Sequence, residues 1–151
     1  MLDRAIAVNE QFFNRVQQAD FPQFKSTMDP ETAELDKKTA IDLFDSQIKS
    51  RLLDLIARQL KEKGLSFYTI GSSGHEGNAV WGQVFRPDDM AFLHYRSGAF
   101  YLQRAKQLQG SDGVRDILLS LVAAATDPIS GGRHKVFGSV SLNIPPQTST
   151  I

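Results

Sequence analysis

A chain of 151 residues is about one domain long and can bury roughly 70% of the surface its unfolded form exposes. Its 17 basic and 17 acidic residues cancel, so no global field recruits nucleic acid or an anionic membrane, and anion recognition has to be local. The absence of cysteine excludes disulfides, thiolate catalysis and cysteine-ligated metals, and it fits a reducing, cytoplasmic setting; no apolar run approaches the roughly 18 residues of a membrane span.

In chain order, Leu2, Ile6, Phe12, Phe13 and Val16 fall near one face of a predicted half-buried helix over residues 2–18. Asp3 and Glu10, with no long apolar core between them, argue against a signal or transit peptide. Pro22 stops the helix, and residues 21–34, polar and aperiodic, read as a connector or an arm lying across a partner. Asp36 or Thr39 is placed to cap the next helix. From Ile41 the apolar residues Phe44, Ile48, Leu52, Leu55, Ile56 and Leu60 recur at threes and fours up to Gly64, the best-patterned helix in the chain, and that stripe is expected to be core.

The richest stretch runs from Phe67 to Tyr101. Phe67 to Ile70 reads as a short strand that meets the turn Gly71-Ser72-Ser73-Gly74. Ser73 with Glu76 spells a capping box, so a helix is expected to start near Gly74 with free backbone N–H groups in its first turn. After the turn Arg86-Pro87-Asp88-Asp89, Met90 to Tyr95 reads as a second buried strand delivering His94, Tyr95 and Arg96 to a helix start at Ser97-Gly98. Two more helices are expected, residues 98–108 and 112–125, with Ser111 as N-cap of the second. Residues 127–151, rich in glycine and proline around the basic cluster Arg133-His134-Lys135, form a long loop.

Several chemistries fail on spacing. His75, His94 and His134 lack the intervals of a zinc motif. Gly71 to Gly77 lacks the register of a nucleophile elbow, and the glycine-rich turns lack the Lys-Ser/Thr of a P-loop. Capping accounts for Ser72 and Ser73. The dense cluster His94-Tyr95-Arg96, set after an apolar run and before Ser97-Gly98, is seldom required for packing and stands as the functional candidate.

Taken together and in order, Gly74-His75-Glu76-Gly77, Arg86-Pro87-Asp88-Asp89, Tyr95-Arg96 and Gly131-Gly132-Arg133-His134 resemble the thiamine-diphosphate-dependent 2-oxo acid dehydrogenases. The likeness is to the alpha part of the decarboxylating component of the branched-chain and pyruvate type, and it runs over most of the chain. Gly77 departs from the alanine usual there, and His134-Lys135 follows Gly-Arg where the family varies. The resemblance implies that residues 1–151 are the mainly α, N-terminal portion of a thiamine-diphosphate-binding α/β fold, with residues 127–151 a loop toward the cofactor. It implies that Tyr95 and Arg96 hold the diphosphate with His94 beside them. Ser149 and Ile151 would line the aminopyrimidine, and Thr148 would frame a potassium site. The family's Gly-Asp-Gly magnesium motif would lie beyond Ile151, since Gly110-Ser111-Asp112-Gly113 reads as a helix-cap turn; the carboxylate that activates the aminopyrimidine would come from the beta part. The implied partners are a beta subunit or fused beta part and the lipoyl domain of a dihydrolipoyl acyltransferase, in a homo- or hetero-oligomer. On this expectation the chain alone is inactive and exposes apolar surface. A stand-alone helical interaction module is the alternative, and an anion or nucleotide binder using Arg96 and the Gly74 helix start is a third.

Overall fold

Five α-helices form among the described residues, four of them close to where the apolar spacing places them. They are α1 (Arg4–Gln18), α2 (Lys37–Glu62), α3 (Ala79–Val84), α4 (Gly98–Ala105) and α5 (Gly113–Leu121), with a 3-10 turn at Glu76–Asn78 leading into α3. The computed structural model describes residues 4–23, 28, 32–69, 71–133 and 137–146, and the chain divides into two units, Met1–Asp36 and Lys37–Ile151. No helix among the described residues is long and apolar enough to cross a membrane.

In the first unit α1 ends where Ala19 turns left-handed at φ 51°, and Asp20 N–H reaches back to the Arg15 carbonyl at 3.0 Å. Its expected inner face has little to bury against within that unit. Ile6, Phe13 and Val16 are all exposed, and the Phe12 and Phe13 rings meet edge-on at 5.5 Å.

The second unit holds the core. α2 stops at Gly64, φ 69°, where Leu65 N–H bonds the Leu60 carbonyl at 2.8 Å. Its orientation meets the expectation only in part. The buried residues are Leu43, Ser46, Ser50, Leu53, Asp54, Leu55 and Ala57, so Leu55 of the apolar stripe is buried and Leu60 packs against the core, whereas Ile41, Phe44, Leu52 and Ile56 remain 59%, 60%, 40% and 40% exposed. Small residues explain the choice, because they let two helix backbones close up. Gly98 opens α4 directly against Ser50, where an added Cβ would sit 2.9 Å from the Ser50 hydroxyl. Gly82 in α3 likewise faces the Phe100 carbonyl, 2.5 Å from where its Cβ would be.

α4 is buried on every side, as a helix apolar around most of its girth should be. Phe100, Tyr101, Leu102 and Ala105 join Leu53, Ala57, Ile117 and Leu121 in one core, and its two large polar residues are bound. Gln103 accepts from the Ser46 hydroxyl at 2.6 Å and donates to Asp42 and Gln83, each at 2.7 Å, tying α2, α3 and α4 together.

Three expected features take other forms. Met90 to Tyr95 keeps a strand's alternation, with Ala91 and Leu93 buried and Met90 and Phe92 exposed, but among the described residues it pairs only through Ala91 N–H to the Asn143 carbonyl at 3.1 Å. Residues 67–69 are likewise not strand, Phe67 being exposed, and Ile70 lies outside the described residues. Asp112, not Ser111, caps α5 by accepting from Arg115 N–H at 3.0 Å, and the helix ends at Leu121 because Ala123 turns left-handed. Residues 137–146 are more than a loop. An antiparallel bridge joins Ser139 to Ile144, and Phe137, Leu142 and Ile144 complete the core.

The Tyr101 phenol sits in that core, 3.2 Å from an Asp116 carboxylate oxygen and 3.5 Å from the Gly138 carbonyl. Burial first, and the Asp116 charge second, hold its pKa well above the ordinary tyrosine value. A raised folded pKa means stability that is present below about pH 10, the unfolded value, and lost as pH climbs past it. Urea midpoints should therefore fall through that range, and less steeply in Tyr101→Phe; parallel profiles would remove Tyr101 as the cause.

Candidate functional site

The segment from Gly71 to Asn78 and the segment from His94 to Ser97 meet at one place, between α2 and the start of α4. Arg96 occupies the centre. Its guanidinium carbon lies 4.6 Å from the centroid of the Tyr95 ring, and its Nη1 donates to the Gly71 carbonyl. The Tyr95 ring in turn lies against His94, centroids 4.0 Å apart at 38°. His94 also braces the backbone: its Nδ1 accepts from Arg96 N–H at 3.3 Å and its carbonyl from Ser97 N–H at 2.8 Å. The three residues singled out from sequence thus form one stacked unit. No carboxylate among the described residues pairs with Arg96, so its remaining donors can meet an anion.

Sequence reasoning passed over Asn78, which turns out to join the two segments. Its side-chain oxygen accepts from Phe100 N–H at 2.8 Å, in the first turn of α4, and its nitrogen donates to the Arg96 carbonyl at 3.4 Å. Asn78 does from a distance what Ser97, which makes no side-chain cap, would do locally. An Asn at the end of a glycine-rich turn was the available signal.

The Gly71 to Gly77 turn is held from α2, and its serines do not cap. The Ser72 hydroxyl donates to the Ser50 carbonyl at 3.3 Å, while the Ser73 hydroxyl accepts from Arg51 at 2.9 Å. Arg51 also pairs with Glu76 at 2.6 Å. Neither bond of the expected capping box forms, since the other Glu76 oxygen takes Gly74 N–H, not Ser73 N–H, at 2.8 Å. The helix therefore does not start at Gly74, and that N–H is not open to an anion. His75 lies exposed beside the turn and contributes no side-chain cap.

Thr148, Ser149 and Ile151, the residues implied for the aminopyrimidine and potassium, lie outside the described residues, as does His134. Among the described residues no group of three or more His, Asp or Glu is placed to hold a metal ion. A separate cleft of about 660 Å³, lined by Ser111, Asp112, Asp116 and residues 127–129 and 138–141, shares no residue with the Arg96 unit. No known protein family, curated protein or solved structure matches the chain.

Proposed function

We propose that the chain is the N-terminal part of the decarboxylating component of a thiamine-diphosphate-dependent 2-oxo acid dehydrogenase, of the branched-chain type, and that Arg96 is a ligand of the cofactor diphosphate. The observation that supports this most is the Arg96 guanidinium itself. It is fixed on one side by the Tyr95 ring and on another by the Gly71 carbonyl, with most of its donors uncommitted. A phosphate oxygen suits such a group, because a guanidinium offers paired N–H donors in a plane and keeps its charge at any working pH. The residues at hand fit the diphosphate; the magnesium that accompanies it needs carboxylates from elsewhere.

On this reading the cofactor, when bound, supplies the carbanion chemistry that removes CO2 from a 2-oxo acid. Arg96 binds and orients its phosphate end, Tyr95 holds the guanidinium plane, and His94 and Asn78 fix the backbone on either side of Arg96. Ser149 and Ile151 would meet the aminopyrimidine and Thr148 a potassium ion. A beta part, a lipoyl domain and residues after Ile151 would complete the catalyst, so the 151 residues would not catalyse alone. Titrating magnesium thiamine diphosphate into the assembled alpha and beta parts, with and without Arg96, tests the reading directly.

A second reading, a helical interaction module without catalysis, is favoured by the exposed stripe of α2, which continues into a groove formed by Ile56, Leu60, Val114, Leu118, Leu119 and Val122. Apolar surface of that continuity marks a contact surface on either reading. The isolated chain is expected to bind an apolar-surface dye, and Phe44→Glu to reduce the signal without lowering the urea midpoint. Equal dye binding by both proteins would place the exposed surface elsewhere.

A further inference from the structure

Asp54 is a carboxylate that the reading above leaves unused. It lies in α2, 2% exposed, on the face turned toward the core. One oxygen accepts Gly71 N–H at 2.8 Å and faces Arg58 Nε, one turn along, at 3.6 Å. A buried carboxylate is costly unless it is paired and hydrogen-bonded, so a side chain of this type needs a reason to be there. The reason lies on the other side of Gly71. The same residue whose N–H is held by Asp54 offers its carbonyl to the Arg96 guanidinium.

Gly71 is built for this double contact. Its φ of 61° lies in the left-handed region, and a Cβ there would stand 3.0 Å from Arg96 Nη1. Two further bonds to α2 hold the segment just after the contact: Ser72 to the Ser50 carbonyl and Arg51 to Ser73. α2 is therefore a rail along which residues 71–73 are fastened, and Asp54 is a buried, charged fastening on it.

We infer that Asp54 is a positioning residue for the Arg96 anion site, acting through Gly71: by fixing the Gly71 backbone it fixes the carbonyl that aims the guanidinium. The inference rests on the reading of Arg96 as a diphosphate ligand, and it adds a residue that touches neither cofactor nor substrate. Holding the guanidinium before the ligand arrives lowers the ordering cost of binding. Asn at position 54 keeps an oxygen for Gly71 N–H and loses only the charge, whereas Ala removes the acceptor.

Two measurements test this. The first is the side-chain NMR signal of Arg96 in the 151-residue chain, which reads guanidinium rotation and the ring shift from Tyr95. Slow rotation and a ring-shifted signal are expected in wild type and Asp54→Asn. Both should be lost in Asp54→Ala and, should that variant not fold, in Asp54→Leu, which removes the acceptor but keeps the volume. The second is titration of magnesium thiamine diphosphate into the assembled enzyme. Asp54→Ala should weaken it about tenfold, the scale seen when a partner that orients a ligating side chain is removed, and Asp54→Asn should restore it. An Arg96 signal unchanged in Asp54→Ala, or in Asp54→Leu where the alanine variant does not fold, overturns the inference, whatever the titration gives. If the signal is lost while Arg96→Ala leaves cofactor affinity intact, the diphosphate reading fails and Asp54 still positions Arg96. If signal and affinity fall together, both stand.

Discussion

Replacing Arg96 with alanine in the assembled enzyme is expected to weaken magnesium thiamine diphosphate binding by roughly 30- to 1000-fold, which corresponds to about 2 to 4 kcal/mol. The size follows from the chemistry of the contact. A charge-assisted bond to a phosphate is stronger than a neutral one, and its loss leaves an anionic oxygen without its partner. The competing account is a surface ion pair, worth under about 1 kcal/mol. That account lacks a partner among the described residues, where the guanidinium faces a ring and a peptide oxygen instead of a carboxylate. Lysine at position 96 keeps the charge but loses the planar fork, so it should recover only part of the affinity. Calorimetric titration of wild type, Arg96→Lys and Arg96→Ala decides between them. A change below about fivefold, near 1 kcal/mol, would leave Arg96 a structural role alone.

The largest expected effect on stability belongs to a different arginine. Arg104 in α4 is fully buried, and its Nη2 faces the carbonyls of Arg86, Pro87 and Asp89, the contact with Pro87 being 3.0 Å. Burial pulls its pKa below the ordinary arginine value, with the charges of Asp89 and Asp88 opposing. The side chain thus closes a turn whose carbonyls would otherwise point at apolar core, with its guanidinium 5.6 Å from the Phe100 ring. Arg104→Met keeps the apolar stem and removes the donors. It should cost about 1 to 3 kcal/mol, because carbonyls are left unpaired while the burial of the unpartnered Nε and Nη1 is relieved, lowering the urea midpoint by about 1 M. Arg86, whose side chain is 73% exposed beside Asp88 and Asp89, makes the contrast. Arg86→Ala should leave the midpoint where it is. A shift under about 0.5 M for Arg104→Met would mean that water replaces the guanidinium at little cost.

What the sequence made legible was local. The end of α2 could be placed because Gly64 is needed for a left-handed stop, and Asp112 could have been placed by the same kind of reasoning had the choice not gone to its neighbour Ser111. Which face of α2 is buried was legible only in part, Leu55 and Leu60 of the stripe meeting the core, because two candidate faces compete. The larger residues of the Ile41 stripe predict one answer, but the close approach that Gly98 permits against Ser50 favours the other. The alternation from Met90 to Leu93 was visible as well. Whether it becomes a strand depends on a partner in the 139–144 turn, some fifty residues on, and only one backbone bond is made there.

The site divides in the same way. His94, Tyr95 and Arg96 are consecutive, so their density showed in the sequence and the structure stacks them as a unit. Their supports are not consecutive. Gly71 lies 25 residues before Arg96, Asp54 lies 17 before Gly71, and Asn78 lies 22 before Phe100. Nothing in local propensity marks an aspartate inside a helix as the holder of a distant glycine. Such contacts are visible only once the helices have packed.

The 137–144 turn sets the timing of folding during synthesis. Among the described residues Phe137, Leu142 and Ile144 are the last of the core to be made, and they share it with Leu93, Ala91 and Tyr101, which leave the ribosome far earlier. In a nascent chain that has emerged only as far as α5, α4 still lacks one wall and Ala91 N–H has no Asn143 carbonyl to meet, and helices as short as α3 and α4 hold poorly without that packing. The contacts that close the core span long stretches of sequence, and such contacts form late because the intervening chain must first be ordered. From their emergence until Ile144 arrives, the apolar residues from Ala91 to Tyr101 therefore stand open on the growing chain, and they are the natural stretch for a chaperone to cover.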